Sequence, residues 1–266
     1  MNETRTAPGN KVAETFGKSV KRYHQEAEIQ PKVAEGLMAS LRPWKGILPD
    51  GPILEIGCGT GFLTEKLMTE FPARDMLITD LSREMIDFCR SNTLESHPEI
   101  KADFKSMNAE DVELPEAHYS LIISNFAAQW FKDPALTLSQ LARALKSGGL
   151  LLFSFPGNKS FPEWYQHCLE CGLPFTANPL PDTEELVIKL SMEPVQVDYY
   201  ENSLHQKFDS SLDFFRHLKS LSVNSITHGK QLSGKDFKIL NRHWTQNTQG
   251  KINIEWHIVY LAARKD

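Results

Sequence analysis

No apolar run in this 266-residue chain approaches the roughly 18 residues of a membrane-crossing helix. The first residues, Met1-Asn2-Glu3-Thr4-Arg5-Thr6, are polar and lack the apolar core of a secretory signal, so a cytoplasmic protein is expected. Cysteine is scarce, and the four present do not pair into a disulfide framework. Cys168-x-x-Cys171 is the one close pair, but four-coordinate zinc needs a second pair at a defined spacing; none follows, so no metal site is expected. With a net charge of −5 the chain lacks the basic balance of a general nucleic-acid binder. It contains no internal repeat and no low-complexity linker. At 41% hydrophobic and 24% charged it can bury the core of one large α/β domain with a cap.

The charge that is present is uneven. From residue 201 onward ten Lys and Arg stand against six acids. A local basic face on an acidic protein suits an acidic partner, although solvated helix faces give the same count.

The stretch around which the chain is organised is Ile53-Leu54-Glu55-Ile56-Gly57-Cys58-Gly59-Thr60-Gly61, followed by Phe62-Leu63-Thr64-Glu65. It reads as strand, glycine turn and helix. Glycines allow positive φ and keep Cβ atoms away from a ligand, and the helix start offers free N–H groups. The dinucleotide fingerprint G-x-G-x-x-G needs its third glycine where this chain has Phe62. Glu55 to Gly61 instead resembles the E-x-G-x-G-x-G loop of class I S-adenosylmethionine (SAM) methyltransferases. The second strand, Asp75-Met76-Leu77-Ile78-Thr79-Asp80, ends in an acid about 20 residues beyond the loop, the spacing of a ribose-binding carboxylate. Asp80 could equally cap the helix around Met85, as could Ser82.

Helical spacing joins Val12, Phe16, Val20 and Tyr23, and again Ile29, Val33, Leu37 and Leu41, so two amphipathic helices precede the first strand. They suit either a lid over the ligand mouth or plain packing, and Tyr23 and Gln30 are their notable polar positions. Asp103 to Met107 reads as a third strand leading to Asn108, with Asp111 a competing polar position. Tyr119 to Ser124 is a fourth, buried on both faces. It runs into Asn125-Phe126-Ala127-Ala128-Gln129-Trp130, which shares a sheet edge with Gly57 and Asp80. A helix over 134–146 with Ser147-Gly148-Gly149 as its cap then leads to a fifth strand over 150–155. This alternation predicts a parallel, doubly wound α/β sheet. Further on, Leu212, Phe215, Leu218 and Leu221 mark a helix with Arg216 and Lys219 on its exposed side, and 254–262 closes the sheet.

With the Gly57 loop, Asp80-Leu81-Ser82 and the Ser124–Trp130 run together, the chain resembles the malonyl-acyl carrier protein O-methyltransferases, which start pimelate assembly for biotin. The resemblance covers nearly the full length. Phe16-Gly17, Tyr23, Ala27 and Gln30 match that family's N-terminal lid pattern, and Arg216-His217-Leu218-Lys219 matches a late helix. Ser222-Val223 departs from the glycine and alanine of the family. The resemblance implies a Rossmann-like, doubly wound, mostly parallel sheet in a single domain, with lid helices over 1–44, a SAM-binding core over 45–156 and a substrate-side cap with the final strands over 157–266. It implies SAM as cofactor, held by Tyr23, Gln30, Glu55, Gly57, Gly59, Gly61, Asp80, Leu81, Met85, Asn108, Ala109 and Asn125. Asn108 would take the adenine amino group through its carbonyl oxygen.

Malonyl-acyl carrier protein is the implied partner, with Tyr23, Gln129, Trp130, Arg216 and Lys219 as implied substrate contacts. Its free carboxylate, with a pKa near 4, is ionised at neutral pH, so no catalytic base is expected. Arg216 would either clamp that carboxylate or sit on the surface where the carrier binds. Lys219, Lys235, Lys238 and Arg242 are docking candidates. Rival readings are a class I methyltransferase of a free small-molecule carboxylate or other metabolite, and a SAM-binding regulatory protein without turnover.

Overall fold

Four consecutive apolar or methylene-rich side chains, Ile53–Ile56, form β1, and all four are buried. The computed structural model describes residues 20–221, 232–248 and 251–266; Val12, Phe16-Gly17, Ser222-Val223 and Lys230 lie outside them. β1 pairs in parallel with β2 (Met76–Asp80) on one side and with β4 (Tyr119–Asn125) on the other. β3 (Ala102–Ser106) extends the sheet beyond β2, and β5 (Leu145–Pro156) beyond β4, also in parallel. β7 (Ile252–Lys265) then runs antiparallel to β5, with β6 (Val195–Phe208) antiparallel outside it. The described residues thus form a seven-stranded sheet in the order β3-β2-β1-β4-β5-β7-β6, the mostly parallel, doubly wound α/β arrangement expected. The chain leaves β1 toward β2 on one side and reaches β4 on the other, so a crevice opens at the carboxyl ends of β1 and β4.

Side-chain alternation along the strands builds two cores. Ile53, Leu121, Ile123, Leu150 and Leu152 face one side, where they meet α2 (Ile29–Lys45), α3 (Phe62–Glu70) and α4 (Arg83–Leu94). Leu54, Ile56, Ile122, Leu151 and Phe153 face the other and meet α5 (Pro134–Arg143) and α7 (Thr183–Leu190). The α2 stripe is the one expected, and Ile29, Val33, Leu37 and Leu41 are all buried. Helix starts follow side-chain caps: Ser82 accepts from Met85 N–H, Asp133 from Leu136 N–H and Asp182 from Glu185 N–H. No helix among the described residues is long and apolar enough to cross a membrane.

Two local expectations are corrected. α5 ends at Arg143 rather than at 146, because Leu145 pairs with Tyr119 and already belongs to β5. The glycine pair makes a strand irregularity, not a helix cap: Gly148 has φ +75°, and a Cβ on Gly149 would lie 2.8 Å from the Lys146 carbonyl. In α8 (Ser211–Ser220) the deeply buried positions are Phe214 and Leu218, continued by Leu221, while Leu212 and Phe215 are half-buried. The stripe turns by a residue because Phe214 enters an aromatic cluster with Phe161, Trp164 and Trp244. That cluster joins α8 to α6 (Pro162–Glu170) and α9 (Gly234–Thr248). α1 (Val20–Glu26) packs against α4 and α8 and stacks His24 on Phe62 at 4.8 Å.

Leu37 is fully buried against the sheet, whereas Leu136 on α5 is 55% exposed. Leu37→Ala is expected to cost about 2–5 kcal/mol, and Leu136→Ala no more than about 0.5 kcal/mol. Denaturant unfolding of the two variants checks the contrast.

Candidate active site

The backbone leaves β1 through three left-handed glycines, Gly57 at φ +70°, Gly59 at +54° and Gly61 at +96°. They do different work. A Cβ on Gly57 would sit 2.7 Å from Ala127 Cβ, and one on Gly61 would sit 2.9 Å from Thr93 Cγ2, so these two let β4 and α4 come close. A Cβ on Gly59 would meet nothing within 4 Å. It would project into open space over the crevice, where a flat or anionic ligand can approach bare backbone.

The Asp80 carboxylate fastens this loop to the end of β2. Oδ2 accepts from Gly59 N–H at 2.9 Å, and Oδ1 accepts from Ser82 N–H at 2.8 Å. Enclosure raises the Asp80 pKa, opposed by the N–H groups of Ser82, Gly59 and Leu81. Ser82, not Asp80, caps α4. The Tyr23 hydroxyl is held above the usual phenol range by burial and then by the charge of Asp80, so α1 brings it to the same place.

Glu55 is fully buried beneath the loop. Oε2 accepts from Thr64 Oγ1 at 2.7 Å, while Oε1 is buried and makes no hydrogen bond. Burial lifts its pKa to about 8, with Asp80 adding to the rise and Thr64 opposing it.

The loop after β3 supplies the third wall. Asn108 Oδ1 accepts from Glu110 N–H at 3.2 Å, and its amide N–H donates to Asp111. Of the two competing positions, Asn108 lines the cavity, and Asp111 sits behind it and orients it. Beyond β4, Asn125 accepts from Ser154 Oγ at 2.8 Å and donates to the Gln30 carbonyl at 3.1 Å, which ties α2 to the sheet. Phe126 turns the chain at φ +61°. Gln129 then donates to the Phe126 carbonyl at 2.8 Å.

These elements enclose one cavity. Tyr23, Gln30, Glu55, Gly57, Gly59, Asp80, Leu81, Met85, Asn108, Ala109, Asn125, Gln129 and Trp130 all line it. Its empty space is about 1450 Å³ with the open mouth included. Three expected residues are elsewhere. Gly61 packs on α4. Arg216 and Lys219 point outward on α8, and the Arg216 guanidinium pairs with Asp213 at 3.1 Å, because their helical phase opposes that of Phe214 and Leu218.

The cavity also has walls that motif reading missed. Phe161, Asn178, Leu180, Leu221 and Trp256 reach it from the second half of the chain. Trp256 is 3% exposed, and its indole Nε1 has no hydrogen-bond partner. Two aromatic positions, Phe161 before Pro162 and Trp256 in the closing strand, were the only available signal. They meet edge-on at 4.7 Å.

Residues 53–149 match the family described as methyltransferase domain. Over 270 residues the chain is 31% identical to the malonyl-acyl carrier protein O-methyltransferase of Magnetococcus marinus, covering 98% of this chain and 95% of that protein. The chain belongs to the malonyl-acyl carrier protein O-methyltransferase family. Its match to the family member from Bacteroides thetaiotaomicron is 29% over 96% of this chain and 97% of the relative. Among solved structures, phosphoethanolamine N-methyltransferase 2 of Haemonchus contortus in complex with S-adenosyl-L-methionine shares the fold at 16% identity. Its TM-score is 0.63, with all of this chain and 61% of that one covered. YcgJ of Bacillus subtilis gives a TM-score of 0.60 at 17% identity over 88% and 98%. The cavity of this family member lies at the carboxyl edge of that shared sheet.

Glu55 predicts a pH dependence. With a folded pKa of about 8 against an ordinary 4.5, the native chain holds a proton that the unfolded chain has released between those values. Stability therefore falls as pH rises from about 5 to 8. Thermal unfolding across that range is expected to show the fall in the wild type and a flatter profile in Glu55→Gln.

Proposed function

We propose that this enzyme transfers a methyl group from SAM to the free carboxylate of a malonyl thioester carried by acyl carrier protein, giving the methyl ester that primes pimelate synthesis for biotin. The observation that carries the reading is the near full-length match to the family, joined to a cavity in which the glycine loop, Asp80 and Asn108 converge.

The donors around the cavity fit SAM. Gly59 leaves its backbone bare, Asp80 offers a carboxylate for ribose hydroxyls, and Leu81 and Met85 offer apolar contact for the adenine beside Asn108 and Ala109. Gln30 Oε1, a buried acceptor without a partner, suits the ammonium end of the amino-acid moiety, and that positive charge favours the ionised form of Glu55 beneath it. Asn125 and Tyr23 close this side. Bound there, SAM supplies an electrophilic methyl group activated by its sulfonium.

The protein's own contribution is alignment and the exclusion of water. The malonyl carboxylate, with a pKa near 4, is already a nucleophile at neutral pH and needs no general base. Phe126, Trp130, Phe161 and Trp256 wall the space above the glycine loop with aromatic surface. Trp256 Nε1–H is an unpaired donor there, suited to a carbonyl or carboxylate oxygen. Holding the oxygen in line with the methyl and away from water can lower the barrier by several kcal/mol.

The carrier docks outside. Arg216 and Lys219 on α8, with Lys235, Lys238 and Arg242 on α9, are exposed, and Leu221 just beyond α8 lines the cavity. That outward position supports a docking role for Arg216 rather than a clamp on the reacting carboxylate. In this reading residues 1–44 act as lid, 45–156 as SAM-binding core and 157–266 as substrate-side cap and final strands of one functional unit.

Methyl transfer from labelled SAM is expected on malonyl-acyl carrier protein and not on its acetyl counterpart, with a carrier KM that rises with salt. Label on free malonate or another small acid in preference to the carrier would overturn the carrier assignment. Absence of transfer to any acceptor with SAM binding intact would leave a binding protein without turnover.

Gly59→Ala adds a methyl group in the left-handed region but meets no protein atom. It is expected to destabilise the fold by about 1–2 kcal/mol and to weaken SAM binding about 10-fold or more. Calorimetric titration with SAM checks this; unchanged affinity would remove Gly59 from the cofactor face.

A further inference from the structure

At the far end of α6 from the cavity lies a side-chain cluster that methyl transfer does not use. His167 and Glu170, three residues apart on α6, converge with His243 of α9. One donor atom from each lies within 4.8 Å of the other two. Glu170 Oε2 is 2.8 Å from His243 Nε2 and 3.4 Å from His167 Nδ1. Gln166 donates to the other oxygen, Oε1, at 2.8 Å, which turns Oε2 toward the imidazoles. Trp244 packs on the His167 ring at 4.9 Å.

These polar groups do not satisfy one another. His167 Nδ1 is buried and makes no hydrogen bond. His243 Nε2 is met both by Glu170 Oε2 and by Asn247 Nδ2, the latter at 3.1 Å. A ring nitrogen carries either a proton or a lone pair, so it cannot donate to the carboxylate and accept from the amide together. A cation between the three would be met by His167 Nδ1, Glu170 Oε2 and His243 Nε2 together.

We propose that His167, Glu170 and His243 form a zinc site, with water in the fourth position, that staples α9 to α6. Two neutral imidazoles and a carboxylate are a donor set that zinc takes. Tetrahedral zinc with donors at about 2.0–2.2 Å spaces them about 3.3 Å apart, and the two separations of 2.8 and 3.4 Å bracket that edge. Gln166 plays the outer part that orients a ligating carboxylate. The neighbouring Cys168 does not join, since it packs into the apolar core and is 1% exposed. The metal donors are thus interleaved with the Cys168-x-x-Cys171 pair on the same helix. The ion holds α9, with Lys235, Lys238 and Arg242, against the helix that begins at Phe161 in the cavity wall.

The test uses the full chain stripped with a chelator and titrated with ZnCl₂ by calorimetry. One zinc per chain is expected, with a melting temperature about 5 °C higher at a free zinc concentration near 100-fold above Kd. Cobalt should give the visible absorption bands of a tetrahedral site. His243→Gln and Glu170→Gln, at half-exposed or exposed positions that leave the fold intact by circular dichroism, should each weaken zinc binding at least about 10-fold and abolish the cobalt spectrum. Cys171→Ser and the remote His97→Gln should bind as the wild type does. Absence of zinc binding, binding that survives His243→Gln, or binding lost in Cys171→Ser would each overturn the proposal.

Discussion

The hydrogen bond from Gly59 N–H to the Asp80 carboxylate is the tie on which the site depends. It joins the loop after β1 to the end of β2, and the same carboxylate takes Ser82 N–H at the start of α4. One acid therefore sets the relative position of a glycine cradle, a strand end and a helix start. Two of the three glycines serve packing, at Ala127 and at Thr93, and leave the third facing the cavity. Because the partners are backbone N–H groups, the geometry survives variation of the side chains around it.

The cavity gains binding capacity from polar atoms left unpaired within it. Glu55 Oε1, Gln30 Oε1, Gln129 Oε1, Thr60 Oγ1 and Trp256 Nε1 are all buried without hydrogen bonds, and all belong to cavity-lining residues. Each such group costs on the order of 1–3 kcal/mol when left unmade. A ligand that satisfies several of them recovers that free energy on binding, so the same atoms that weaken the fold strengthen recognition. The aromatic walls contribute in the opposite sense, since they are stable when dry and make water a poor occupant.

The first half of the chain was legible because its chemistry is local. A buried strand run, a glycine loop, an acid at the next strand end and the Asn125–Trp130 segment each occur within a few residues. Parallel pairing brings their ends to one edge without further information. The second half was less legible because its contributions are long-range. Trp256 and Phe161 meet from 95 positions apart, and nothing near either one in sequence marks it as a cavity wall. Arg216 was read correctly as exposed and basic, yet a helical wheel cannot say whether an exposed face looks into a cleft or into solvent. The glycine pair at 148–149 was misread because a helix cap and a strand irregularity both call for left-handed backbone.

The position of β7 carries a consequence for the order of assembly. It is the last strand in the chain, yet it lies between β5 and β6, with Trp256 in the cavity wall. During synthesis from the ribosome, the five parallel strands and β6 emerge before the strand that must separate them. Until it arrives, β5 presents an unpaired, largely apolar edge, the kind of surface on which other chains add strands. Closing that edge and completing the aromatic wall are a single event, so the nascent chain cannot retain substrate before its sheet is protected.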